Sequence, residues 1–222
     1  YDASALESDT GLVTRSSRIE MDPTAGSTYI SRIVATSTTS LLDYGSLQWT
    51  IGEGSISASG SELSFNGSTC ITSSDTRLTG LVRGTVDWTI EGWIQGTPAN
   101  GTIFGSQAIT GAASNSAWAI AFGATTPNKL EIYLSTSGSS WTSAPLLTST
   151  TSVNDGVRRH FAFVRNGGTM RLYISGVQQA SAAYAGSIYA STRSWSWGGF
   201  SDLSANCAVN AHLRVSDTCL YP

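Results

Sequence analysis

The sequence predicts an all-β fold, an antiparallel two-sheet β-sandwich preceded by an extended N-terminal arm. Three observations predict it. Apolar and polar residues alternate with a period of two over stretches such as Val86–Gln95 and Phe161–Arg165. Turn chemistry recurs at the roughly 8–12-residue spacing of sandwiches and barrels. No sustained helical period runs through the chain.

The elements follow in order. Residues 1–28 lack a period and end in Asp22-Pro23 and Ala25-Gly26-Ser27, so they read as an arm or linker that orders against a partner. The domain proper is residues 29–222. Strands are expected at Tyr29–Ala35, Ser46–Ile51, Ser55–Ser59, Glu62–Phe65, Thr69–Thr72, Thr85–Gln95, Gly101–Ser106, Ala117–Gly123, Lys129–Ser135, His160–Arg165, Thr169–Ser175, Ser194–Gly198 and Ala208–Val215. Gly52-Glu53-Gly54, Asn66-Gly67, Asn100-Gly101, Pro127-Asn128 and Asn154-Asp155-Gly156 supply turns between them. Thr85–Gln95 is the clearest central strand. Its period sends Val86, Trp88, Ile90 and Ile94 to the core and Asp87, Thr89, Glu91, Trp93 and Gln95 to the other face. The segment 136–152 reads as a long exposed hairpin tip. Ala content alone would allow a short helix over 178–192, but its Ser, Gly and Ile favour a loop.

The stretch His160–Gln178 is the strongest local signal. Asn166-Gly167-Gly168-Thr169 is a hairpin turn, because Asn and Gly tolerate the positive φ it needs, and Ser175-Gly176 is a second turn. Phe161, Phe163 and Arg165 share one face of the first strand, opposite Ala162 and Val164. Leu172 and Ile174 share a face of the second, opposite Arg171 and Tyr173.

Composition excludes some functions. Charged residues are 12% of the 222, the net charge is −3, and Lys129 is the single lysine. Nucleic-acid affinity comes mainly from clustered Lys and Arg, so DNA and RNA are not expected partners. No apolar run approaches the roughly 20 residues that span a membrane. The first residues, YDASALESDTGLV, have neither the basic start nor the apolar segment of a signal peptide. The cysteines are Cys70, Cys207 and Cys219. Cys207 and Cys219 could pair on adjacent strands, but the odd count favours free buried thiols, which fit folding in a reducing cytoplasm.

Five segments in order, SFNGSTCI (Ser64–Ile71), VDWTIEGWIQ (Val86–Gln95), DGVRRHFAFVRNGGTMRLYISGVQ (Asp155–Gln178), SWGGF (Ser196–Phe200) and LRVSDTCLYP (Leu213–Pro222), resemble the laminin G-like, concanavalin A-like lectin/glucanase superfamily. The resemblance covers roughly residues 29–221 and is to the variant common in bacteriophage virion proteins and secreted bacterial proteins. It implies a concanavalin A-like jelly roll. Arg158, Gly92, Ala211, His212 and Ser175 depart from the family pattern. Calcium, which some relatives bind, needs about six to eight oxygens with several carboxylates, and the lost acids argue against it here. No cofactor or metal site is expected.

The glucanase relatives suggest glycoside hydrolysis, which uses two carboxylates about 5–9.5 Å apart. Their Glu-x-Asp-x-x-Glu run is absent. The best pair, Asp87 and Glu91, shares a face but is about 13 Å apart along a strand. His160 and His212 both fall in predicted strands, and no Gly-x-Ser-x-Gly elbow occurs. No catalytic residue is assigned.

Sugar binding remains. Trp93 with Glu91 and Gln95 offers an aromatic face beside polar groups, and Trp141 in the polar tip offers another. Trp195 and Trp197 share a face and read as core. The expected function is a non-catalytic virion surface module: a phage tail fibre, receptor-binding or capsid decoration protein. It would fold in the host cytoplasm, dock through its arm onto other virion proteins, form a homo-oligomer and contact host-surface glycans. The alternative is a secreted bacterial carbohydrate-binding module or adhesin; a glycoside hydrolase is third.

Overall fold

The computed structural model describes residues 33–35, 41–43, 49–51, 57–59, 62–74, 78, 82–96, 101–106, 115–201, 207–208 and 212–221. The arm expected over residues 1–28 lies outside them. Two seven-stranded antiparallel sheets face each other. Sheet I runs β11 (Ser143–Ser152), β10 (Lys129–Leu134), β9 (Trp118–Phe122), β8 (Gly101–Ser106), β15 (Trp195–Trp197), β6 (Ile71–Ser73), β3 (Thr50–Ile51). Sheet II runs β14 (Val177–Ala183), β13 (Thr169–Ile174), β12 (Arg159–Asn166), β7 (Trp88–Gly96), β18 (His212–Tyr221), β5 (Glu62–Asn66), β4 (Ser57–Ser59). Two short ribbons pair β1 (Ile33–Ala35) with β2 (Leu41–Asp43) and β16 (Phe200–Ser201) with β17 (Cys207–Ala208).

The core lies between the sheets, as the two-residue period requires. Sheet II contributes Trp88, Ile90, Ile94, Phe161, Phe163, Leu172 and Ile174; sheet I contributes Phe104, Trp118, Ile120, Phe122, Leu130, Ile132, Leu134 and Trp197. Phe104 stacks on Trp197 at 3.8 Å, and Trp195 packs edge-on against Phe104 and Trp118. Trp195 and Trp197 are therefore core residues. The Asn166–Thr169 hairpin forms in the expected register, with Gly167 and Gly168 at positive φ.

Arg165 shares the core face with Phe161 and Phe163 and is buried at the end of the sandwich. Its guanidinium donates to the carbonyls of Gly84 (2.7 Å) and Gly186 (3.0 Å), so it pins two loops over the core. Both terminal nitrogens are thereby turned to backbone acceptors, which offsets the cost of burying the guanidinium, although its Nε has no hydrogen-bond partner.

Four expectations need correction. Val86 is 52% exposed, because β7 begins only at Trp88 and the core ends there. Residues 177–183 are strand β14, not loop: as the edge strand of sheet II it carries no apolar alternation. Residues 143–152 are strand β11, not a hairpin tip. Its Thr150 hydroxyl and Thr151 amide both donate to Gln179 Oε1 of β14, at 2.7 and 2.8 Å, which joins the two sheets along this edge. Finally, Cys70 is disulfide-bonded rather than a free thiol. Its partner must be Cys207 or Cys219, so those two do not pair with each other. The fold brings together cysteines far apart in sequence, a proximity that spacing does not encode.

Candidate functional site

The alternation of β7 places Thr89, Glu91, Trp93 and Gln95 on the outer face of sheet II. Trp93 is 36% exposed there, one of few large apolar side chains so displayed among the described residues. Across the ladder, Trp93 pairs with His160, Glu91 with Ala162, and on the other side Trp93 pairs with Ser216 of β18. The His160 ring meets the Trp93 ring edge-on at 5.4 Å, and His160 Nε2 lies 3.6 Å from Glu91 Oε2. The Arg158 guanidinium sits over the Trp93 ring at 4.3 Å, a cation–π contact.

The turn Asn154-Asp155-Gly156 fixes this arrangement. Gly156, at φ +80°, donates its amide to Gly96 O and accepts from Gln95 Nε2, both at 2.7 Å. Asp155 accepts from the Val157 amide and from both terminal nitrogens of Arg159. The Arg159 hydrogen bonds hold its carboxyl down at about 2. With both flanking residues anchored, Arg158 is carried over Trp93. Gln95 thus holds the turn with its amide nitrogen. The three residues expected to act together, Trp93, Glu91 and Gln95, do share one face, and Arg158 and His160 complete the patch. Sequence reasoning missed Arg158, although its position two residues after the Gly156 turn was the available signal.

Trp141 lies elsewhere. It is half-buried against Ala119, Ala121 and Tyr133 on the outer face of sheet I, with its ring 5.5 Å from that of Tyr133. It therefore cannot join Trp93 in one site. Ala119 and Ala121 pair with Tyr133 and Glu131, so small side chains form a floor beside two aromatics. Beneath lies a carboxylate that sequence reasoning passed over. Glu131 is fully buried yet accepts four hydrogen bonds: from the Thr125 amide and hydroxyl, the Thr126 amide and the Tyr133 hydroxyl. Burial alone would raise its pKa, but the hydrogen bonds from Thr125, Tyr133 and Thr126 outweigh it and hold the group below its ordinary 4.5. Burial and the neighbouring Glu131 push the Tyr133 hydroxyl up.

The other acids are dispersed. Asp87 accepts from the Gly167 amide at 3.0 Å and caps the β12–β13 hairpin. Among the described residues no group of three or more His, Cys, Asp or Glu is placed to hold a metal.

The concanavalin A-like lectin/glucanases superfamily model matches residues 65–215, more than half the chain. The protein belongs to this superfamily. No curated protein sequence matches it. Solved structures share the fold at low identity. The binding domain of botulinum neurotoxin serotype C1 is 15% identical with a TM-score of 0.61, over 87% of this chain and 48% of that one. Trypanosoma rangeli sialidase is 11% identical with a TM-score of 0.60, over 90% of this chain and 31% of that one. Domain 4 of AbnA, an extracellular arabinanase from Geobacillus stearothermophilus solved with arabinotriose, is 16% identical with a TM-score of 0.55. That match covers 86% of this chain and 92% of the domain. The superfamily member described here thus spans about half of the toxin domain and about a third of the sialidase.

Proposed function

We propose that this domain is a non-catalytic recognition module that holds a glycan against the outer face of sheet II. The observation that carries the reading is Trp93: an indole 36% exposed on the outer face of sheet II, with Arg158 over its ring and Glu91, Gln95 and His160 beside it. A sugar presents an apolar ring face and a rim of hydroxyls, and this patch offers an aromatic plane and a rim of donors and acceptors. A domain of the same fold and nearly the same extent, solved with arabinotriose, supports the choice of ligand class. Absence of catalysis is supported by the acids among the described residues: Asp87 is spent on the hairpin, Glu131 receives four hydrogen bonds, and Glu91 faces His160.

The setting we favour is the surface of a phage particle, with host-surface glycans as the ligand, docking through the arm and homo-oligomeric assembly. A second reading, a secreted bacterial carbohydrate-binding module or adhesin, is favoured by one observation, the disulfide at Cys70, because disulfides persist in oxidising compartments.

The test is a titration with a glycan panel that includes arabino-oligosaccharides and bacterial surface polysaccharides, followed by tryptophan fluorescence and calorimetry. Trp93→Ala should weaken binding at least about tenfold, as loss of a central aromatic anchor does. Trp141→Ala should leave it unchanged, since Trp141 sits on the other sheet. No saturable binding to any glycan by the folded protein, or release of reducing ends during incubation, would overturn the proposal.

A further inference from the structure

We infer that Cys70 is bridged to Cys207, leaving Cys219 as the single free thiol, and that the bond is made only outside a reducing cytoplasm, on export or on release of a particle from its host cell. Cys70 immediately precedes β6, whose Ile71 points into the core and pairs with Trp197 of β15. Alternation puts Cys70 on the outer side of sheet I, yet it is wholly buried, so a segment of chain covers it. Continuing the antiparallel register past Ile71 and Trp197 brings Cys70 beside Gly198. There the chain turns, with Gly198 at φ +83° and its amide bonded to Ile103 O. Two residues later it enters β16, whose Ser201 pairs with Cys207 of β17. The β16–β17 ribbon therefore springs from the point in sheet I where Cys70 lies.

Cys219 lies in the other sheet. It belongs to β18 of sheet II and pairs with Glu91, a residue of the outer row, whereas the neighbouring Ile90 faces the core. Facing sheets stack about 10 Å apart, and a disulfide needs Cα atoms about 4.4–6.8 Å apart. His212 pairs with Asn66, four residues before Cys70, and Cys219 lies seven residues further along β18, about 20 Å away and beyond the reach of one disulfide. The fold thus decides between the two partners.

Forming the bond takes two protons and two electrons from the thiols of Cys70 and Cys207. A disulfide oxidant accepts them by thiol–disulfide exchange and leaves as the dithiol. Such couples are maintained outside the reducing cytoplasm.

The chain itself makes the assignment measurable. Trypsin cleaves after Arg32, Arg77, Arg193 and Arg214, which puts Cys70 in 33–77, Cys207 in 194–214 and Cys219 in 215–222. The full chain, exported to a bacterial periplasm and quenched with acid and maleimide, should carry one maleimide per molecule when denatured without reductant, and three after reduction. Its digest should contain peptide 33–77 linked to 194–214, with 215–222 alkylated. A linked peptide containing 215–222 would overturn the pairing, and three alkylated cysteines before reduction would overturn the bridge itself. Cys219→Ser should melt at the wild-type temperature, while Cys207→Ser or reductant should lower the melting temperature by roughly 5–15 °C. Equal melting of the Cys207→Ser and wild-type chains would also refute the inference. Neither readout depends on glycan binding.

Discussion

Replacing Glu131 with alanine removes an acceptor on which four groups converge: the Thr125 amide at 2.9 Å, the Thr125 hydroxyl and Thr126 amide at 2.6 Å, and the Tyr133 hydroxyl at 2.8 Å. Hydrogen bonds to a charged group are worth about 1.5–3 kcal/mol each at face value. Two discounts apply. Thr125 and Thr126 are exposed, so their donors regain water when the carboxylate leaves. The carboxylate itself no longer bears the cost of burial. Tyr133 is buried and loses its carboxylate acceptor, so the expected net loss is about 2–4 kcal/mol, or about 5–15 °C in melting temperature for a domain of this size.

The pH dependence has a fixed sign. The folded-state pKa lies below the ordinary 4.5, so the contribution is complete above that value and disappears as pH falls through the folded pKa. Urea denaturation of wild type, Glu131→Gln and Glu131→Ala at pH 7 and at steps down to pH 3 measures it. The gap between wild type and Glu131→Gln should narrow as the pH drops. An alanine variant within about 0.5 kcal/mol of wild type at pH 7, or a gap that stays constant to pH 3, would refute the reasoning.

Two further outcomes follow from close packing. At Gly198, an added Cβ would lie 2.3 Å from the Phe65 ring and the backbone is at φ +83°, so Gly198→Ala should cost about 2–4 kcal/mol in chemical denaturation, whereas Gly156→Ala, at a similar φ but with open space, should cost about 1. Arg165→Met should lose the bonds to Gly84 O and Gly186 O, lower stability by about 2–4 kcal/mol, and speed amide exchange at Gly84 and Ile188, which bond each other at 2.9 Å.

The strands that read most clearly in the sequence are those with one face in the core and one in water. In β7 the burial alternates residue by residue from Trp88 to Gly96, and in β12 Phe161 and Phe163 point inward as their spacing requires. There, a period-two pattern is the direct imprint of burial on sequence. Where both faces are buried or neither is, the imprint vanishes. Strand β9 is buried throughout because Tyr133 and Trp141 lie over its outer alanines, and β14 is an edge strand with little to bury. The placement of Trp93, Glu91 and Gln95 on one face was legible because it depends on a single strand.

What needed the folded chain was everything joining distant segments. Trp141 is separated from Trp93 by the whole sandwich, which no local pattern records. The Arg158 contact depends on a turn anchored to β7, and the Glu131 cluster on a loop folding back over its own strand. The disulfide at Cys70 rests on an approach between segments well over a hundred residues apart. Local backbone geometry and the partition of side chains between water and core are set by neighbours in sequence. Contacts across sheets are set by topology, and topology is decided only when both sheets close on one another.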